Sequence, residues 1–239
     1  VIQHIEREGP GLFSKLAIEK GMSISIHRID QGEEVPNPEK GDLLLILGGP
    51  MSVNDMNKPN FKWITKEIEL IRHTIKNEIA LIGVCLGAQL IAHALGGTIK
   101  PILFGDPPTK LAEIGWGKIK RSNTSLNKQF KSLDASNLYV LHWHGERVIL
   151  PPCIDLIASS DRCKEQFFKL GNYTYGLQFH IETEPKDVYR WVKEDKRFID
   201  DALGVHGQSI VLSQQKSYGD KSRRHRIDLL SEIFNSLFS

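Results

Sequence analysis

Apolar positions along the first hundred residues switch between two periods, and each switch marks an element. Residues 1–5 carry the short apolar pattern of a strand, closed by Gly9, Pro10 and Gly11. Leu12, Leu16 and Ala17 then recur at helical spacing as far as Gly21. Residues 22–29 alternate apolar with polar side chains, the period-two signature of a strand. A loop over 31–41 follows, punctuated by Pro36 and Pro38. Residues 42–47 are almost continuously apolar, as in a strand buried on both faces of a parallel sheet, and Gly48-Gly49-Pro50 ends them. Ile64, Ile68 and Ile71 stripe a helix between 61 and 76, and residues 79–84 read as another buried strand. Leu86, Leu90, Ile91, Ala94 and Leu95 trace the inner face of a helix that stops at Gly96 and Gly97.

Beyond residue 98 the pattern changes. Up to about 179 the segments are short, as in strands and hairpins, with Pro107 and Pro108 in a loop. Residues 185–203 read as a helix, and so do 223–238, where Ile227, Leu230, Phe234 and Leu237 share a face. Strand–helix alternation predicts an α/β fold: an open, mainly parallel, doubly wound sheet flanked by helices. No repeat, low-complexity tract or linker interrupts the chain. One domain over 1–239 is expected, with a core to about 184 and C-terminal helices after it.

Composition narrows the function classes. Of 239 residues, 40% are hydrophobic and 25% charged, the balance of a globular protein rather than a disordered or fibrous one. No apolar run is long enough to span a membrane, and the first ten residues lack the apolar stretch of a signal peptide. A net charge of +2 offers no surplus of cations for nucleic acid. Three cysteines, Cys85, Cys153 and Cys163, cannot all pair, which suits a reducing compartment. A cytoplasmic protein is expected.

The run Gly83-Val84-Cys85-Leu86-Gly87-Ala88-Gln89 sits where a buried strand passes straight into a helix. A G-x-nucleophile-x-G turn there is so sharp that the positions two before and two after must be glycine or nearly so. The turn pushes Cys85 out at the carboxyl end of the sheet, where open α/β folds bind ligands, and the first free N–H groups of the helix favour negative charge on its sulfur. Cys153 and Cys163 have no such setting and read as packing residues. Farther on, His180 and Glu182 lie two apart in what reads as a strand end, so they face the same side. A carboxylate so placed fixes the imidazole tautomer while the other ring nitrogen faces a nucleophile.

These residues resemble the class I (triad type) glutamine amidotransferases, in particular the glutaminase domain of GMP synthase and its free-standing relatives. The resemblance rests on Gly48-Gly49-Pro50, on the run from Gly83 to Gln89 and on Gln178-Phe179-His180-Ile181-Glu182, in that order, and covers about 1–184. It implies that Cys85 attacks the side-chain carbonyl of glutamine to give a γ-glutamyl thioester, that His180 moves the proton and that Glu182 orients His180. It also implies an oxyanion hole from the backbone N–H groups of Gly49 and Leu86. Gln89 would touch the bound glutamine from one helical turn after Cys85, and Trp143-His144-Gly145 would hold its α-amino and α-carboxyl ends. Trp143 stands where the family has a small residue, and Ile181 where it has proline. No cofactor is implied.

Other features are discounted. His142 and His144 have the spacing of a Zn²⁺ pair on one strand face, but no third ligand of suitable spacing accompanies them, so no metal is expected. The cluster Arg223-Arg224-His225-Arg226 reads as the solvated first turn of the last helix. Trp116 and Trp191 read as packing residues. The chain has neither an S-G-G-x-D-S pyrophosphatase loop nor a G-x-x-x-x-G-K-[ST] phosphate loop, so an ammonia acceptor would have to come from a synthetase or acceptor subunit. Three readings stand: a glutamine amidotransferase releasing ammonia, a free-standing γ-glutamyl hydrolase or peptidase with the same three residues, and an inactive regulatory or binding module.

Overall fold

The computed structural model describes residues 1–122 and 129–238. Its strands and helices run, in chain order, β1 (Ile2–Gln3), α1 (Gly11–Glu19), β2 (His27–Arg28), β3 (Leu43–Ile46), α2 (Trp63–Lys76), β4 (Ala80–Val84) and α3 (Leu86–Ala94). Then come β5 (Thr98–Phe104), β6 (Thr109–Leu111), β7 (Glu113–Gly117), β8 (Lys120–Arg121), β9 (Val140–His144), β10 (Glu146–Ile149), β11 (Asp155–Ser159), β12 (Phe167–Leu170) and β13 (Thr174–Leu177). Four helices close the chain: α4 (Pro185–Glu194), α5 (Lys196–Leu203), α6 (Gly207–Gln214) and α7 (Asp220–Leu237).

An eight-stranded sheet in the order β2-β1-β3-β4-β13-β12-β11-β8 forms the centre. From β2 to β13 every pairing is parallel; β12, β11 and β8 are added by antiparallel pairing. The sheet is therefore mixed, with the expected parallel half carrying the strand ends that matter. Alternation within the apolar runs sends neighbouring side chains to opposite faces. Leu45, Ile82 and Val84 pack with Phe13 of α1 and with Leu230, Ile233 and Phe234 of α7. Leu44, Ile46 and Leu81 pack with Ile64, Ile68 and Ile71 of α2 and with Leu90 and Ile91 of α3. Both faces are covered, which is why these strands read as uninterrupted hydrophobic runs.

Outside this layer, β7 and β9 pair as an antiparallel ribbon, and β10, β5 and β6 make a three-stranded sheet. Ile114, Trp116, Leu141 and Trp143 of the ribbon form a third cluster with Val188 and Trp191 of α4, Ile199 of α5 and Val211 of α6.

Three expectations are corrected. The alternating stretch 22–29 yields only β2, because its partner β1 ends at Gln3 and offers two residues to pair with. The helix expected over 185–203 breaks at Asp195, whose carboxylate is drawn to Arg7 and to the Trp143 indole. And α6 has no counterpart in the sequence reading. No helix among the described residues is long and apolar enough to cross a membrane.

Candidate active site

Four parallel strands deliver their carboxyl ends to one place: β1 leads into residues 4–8, β3 into Gly48-Gly49, β4 into Cys85, and β13 into residues 178–182. At the end of β4, Cys85 takes φ 50° and ψ −104°, a strained backbone for a residue with a side chain. The flanking glycines are required by contact. A Cβ at Gly83 would overlap the carbonyl of Gly87, and one at Gly87 would overlap the carbonyl of Ile46. The Cys85 N–H donates to Leu177 O at 2.7 Å, tying the turn to β13.

Residues 178–182 continue past the end of β13 in extended form. His180 exchanges backbone hydrogen bonds with Leu141 of β9, at 2.8 and 3.1 Å. Its Nδ1 lies 2.7 Å from Glu182 Oε1, and both side chains are buried. The other side of the ring faces the Cys85 thiol. Burial alone would lower the His180 pKa, but the Glu182 carboxylate and the Cys85 sulfur raise it well above the ordinary 6.5. Cys85, His180 and Glu182 are thus one contiguous group.

The other residues singled out in the sequence gather around it. Cys85, Gly49, Gln89, Trp143, His144, Gly145 and His180 line one pocket of about 470 Å³. The Gly49 backbone stands against Leu86, since a Cβ added at Gly49 would lie 3.3 Å from Leu86 Cδ2. Gln89 Nε2 donates to Gln178 Oε1 at 3.4 Å, and Gln178 Nε2 in turn points at Cys85 Sγ, 3.8 Å away. Trp143 donates its indole N–H to Asp195 Oδ2 at 2.9 Å.

Several functional neighbours escaped the sequence reading. Glu8 is buried, and its carboxylate and the His180 ring both lie where a Cβ on Gly48 would stand. Burial pushes the Glu8 carboxyl above its ordinary value, against the pull of His180 and Arg7. His4 Nδ1 meets Gly48 O at 3.1 Å while its Nε2 meets Glu67, so it fixes the glycine loop from behind. Arg226 is not in a solvated turn: it is buried, donates to Ile181 O at 2.9 Å and Thr183 O at 2.6 Å, and lies over Trp116. It holds both peptides that flank Glu182. Arg223 pairs with Glu184. Trp191 is more than packing, because its ring sits 4.7 Å from that of His180 and its N–H donates to Arg7 O. Cys163 is buried, with its thiol pushed up to about 12 by burial, whereas Cys153 follows Pro151-Pro152 onto the surface and is exposed.

Comparison with known proteins supplies the family. The family model described as glutamine amidotransferase class-I matches residues 13–193. The glutamine amidotransferase-like protein YfeJ of Salmonella typhimurium is 31% identical over 206 residues, covering 85% of this chain and 83% of that protein. A glutamine-hydrolyzing GMP synthase of Cytophaga hutchinsonii is 28% identical over 72% of this chain, which spans only 30% of that enzyme. Gamma-glutamyl peptidase 3 of Arabidopsis thaliana is 26% identical over 73% of this chain and 68% of its own length. The crystal structure of a glutamine amidotransferase from Thermotoga maritima superposes with a TM-score of 0.82 at 27% identity, over 100% of this chain and 96% of that one. With the family model matched across most of its length and the fold shared from end to end, the chain belongs to the class-I glutamine amidotransferases.

Proposed function

We propose that the protein is a cysteine-dependent glutaminase of amidotransferase type, hydrolysing the side-chain amide of glutamine and releasing ammonia. The observation that carries this reading is Cys85, held in a strained strand–helix turn beside a buried His180–Glu182 pair. In this reading the Cys85 sulfur attacks the amide carbon, and the oxyanion that forms is met by the N–H groups of Gly49 and Leu86. His180 receives the thiol proton and gives it to the departing ammonia, leaving a γ-glutamyl thioester. Water, deprotonated by His180, then releases glutamate and frees the thiol. Glu182 keeps Nδ1 of His180 protonated, so that Nε2 is the nitrogen that exchanges the proton. Gln89, His144 and Gly145 contact the substrate, and Trp143 closes the wall behind them.

A partner fits the same reading, since a glutamine-hydrolyzing GMP synthase of Saccharolobus solfataricus that is itself one chain of a multi-chain enzyme is 29% identical over 75% of this chain. A synthetase or acceptor subunit would receive the ammonia. The likeness to a gamma-glutamyl peptidase supports a second reading, hydrolysis of γ-glutamyl compounds by the same three residues. The deciding experiment assays the purified chain on glutamine beside γ-glutamyl dipeptides, with the acyl-enzyme trapped by mass spectrometry. Glutamine turnover with a thioester on Cys85 is expected, abolished by Cys85→Ala and kept by Cys153→Ala and Cys163→Ala. Turnover of γ-glutamyl dipeptides with glutamine hardly touched would select the second reading, and an active Cys85→Ala chain would overturn both.

A further inference from the structure

The histidine pair on β9 acquires its missing third member from the neighbouring strand. Glu113 of β7 lies opposite His144 in the ladder, and Gly115 lies opposite His142. Glu113, His142 and His144 are all buried, and their three donor atoms lie within 4.8 Å of one another. Glu113 Oε2 is 3.4 Å from His144 Nε2 and 3.7 Å from His142 Nδ1. A tetrahedral ion with bonds of ~2.0–2.1 Å sets its donors about 3.4 Å apart. Glycine makes the room: a Cβ at Gly117 would lie 2.9 Å from the His142 ring.

A second observation concerns unspent hydrogen-bonding capacity. Neither ring nitrogen of His142 has a partner among the described residues, although the side chain is fully buried. Burial pushes its pKa down to about 4, so the ring is neutral and one nitrogen carries an unused lone pair. Beside it, Gln166 donates Nε2 to Glu113 Oε2 at 2.7 Å, while its buried Oε1 has no partner among the described residues. A half-turn of that amide brings the oxygen to the same point. The outer bonds are also in place. His144 Nδ1 lies 2.9 Å from Glu146 O, which aims Nε2 at the cluster, and Ser160 Oγ donates to Glu113 at 3.0 Å. Hydrogen bonds of this kind orient the ligands of metal sites.

We propose that Glu113, His142 and His144, joined by the side-chain oxygen of Gln166, bind one divalent transition ion of the zinc type. Two imidazoles with oxygen donors suit borderline first-row ions rather than Mg²⁺ or Ca²⁺. The ion clamps β7 to β9. Because Leu141 of β9 pairs with the backbone of His180 and His144 lines the pocket, the clamp stiffens the strand that carries the site. Its role is structural, and no bond is made or broken at it.

The test is Zn²⁺ binding to the full chain after chelator treatment, followed by calorimetry and by X-ray absorption. One equivalent is expected, with a nitrogen and oxygen shell near ~2.0–2.1 Å and no sulfur shell near ~2.3 Å. Zn²⁺ at a hundredfold its Kd should raise the melting temperature by ~5–10 °C. Glu113→Gln and His142→Gln should each weaken binding by at least ~100-fold, and Cys85→Ala should not. The absorption measurement on the native chain needs no variant to fold. Failure of the native chain to bind Zn²⁺, a sulfur shell, or binding lost in Cys85→Ala but kept in Glu113→Gln would each overturn the proposal.

Discussion

At the scale of single residues, the site stores strain where its chemistry is placed. Cys85 occupies a backbone region costing ~1–3 kcal/mol for any residue with a Cβ. Replacing it by glycine removes that cost and adds some unfolded-state freedom, so Cys85→Gly is expected to be about 1 kcal/mol more stable than Cys85→Ala by chemical denaturation. Equal stabilities would mean that the turn is relaxed. His180→Ala should lower kcat by ~10²–10⁴-fold, and Glu182→Gln by less, because the imidazole still faces the thiol. Burial lowers the His180 pKa and the Glu182 charge raises it, so Glu182→Gln should shift the His180 titration downward. Imidazole NMR signals read that shift, and an unchanged titration would remove Glu182 from its assigned role. Cys85, its glycines and the His180–Glu182 spacing were legible because each is a local rule of turn or strand. Glu8, His4 and Arg226 were not, since they meet the site only through contacts distant in sequence.

At the scale of elements, α7 turns out to be a brace. Its Arg226 satisfies the carbonyls of Ile181 and Thr183 from the buried side, and its Arg223, with Lys15 of α1, holds Glu184. Arg226→Met leaves two buried acceptors unpaired, an expected loss of about 2–4 kcal/mol in denaturant unfolding. It should also lower kcat, with Arg226→Lys restoring part of both; unchanged kcat would confine Arg226 to packing. Arg223, and Lys15 with it, depress the Glu184 carboxyl from 4.5 to about 2. A depressed acid contributes stability above its unfolded pKa and loses it as protons bind the folded state. The gap in melting temperature between wild type and Glu184→Gln should therefore be constant above pH 5 and close between pH 4.5 and about 2. A gap that persists at pH 2 would contradict the pairing. The amphipathic stripe of this helix was readable, but its basic cluster looked solvated, because local spacing cannot tell a buried Arg from an exposed one.

At the scale of the whole molecule, the sequence revealed the parallel half of the sheet and left the rest vague. Residues 42–47 and 79–84 announce themselves because strands covered on both faces have no polar positions. The antiparallel additions β12, β11 and β8 mix polar and apolar residues and are defined only by their neighbours. Asp195 shows the same limit: residues 185–203 carry a continuous helical pattern, yet Arg7 and Trp143 capture the aspartate and break it. The site is built where these two kinds of segment meet. Strand ends legible from pattern supply Cys85 and the glycine loop, and the packing of the C-terminal helices holds His180 and Glu182 against them.

One of those helices gives the site an optical voice. Trp191 lies with its ring 4.7 Å from that of His180 and nearly perpendicular to it, at 84°. A protonated imidazole in such contact drains the excited state of an indole, and a neutral one does so far less. In a chain whose other tryptophans, Trp63, Trp116 and Trp143, are replaced by phenylalanine, emission from Trp191 should brighten as pH rises through the elevated pKa of His180. His180→Ala should leave the emission bright and insensitive to pH, and an emission that still titrates in that variant would assign the signal elsewhere. On mixing with substrate, proton transfer from His180 to the leaving group should appear as a transient flash, so that formation of the acyl-enzyme can be timed by stopped-flow without any added dye.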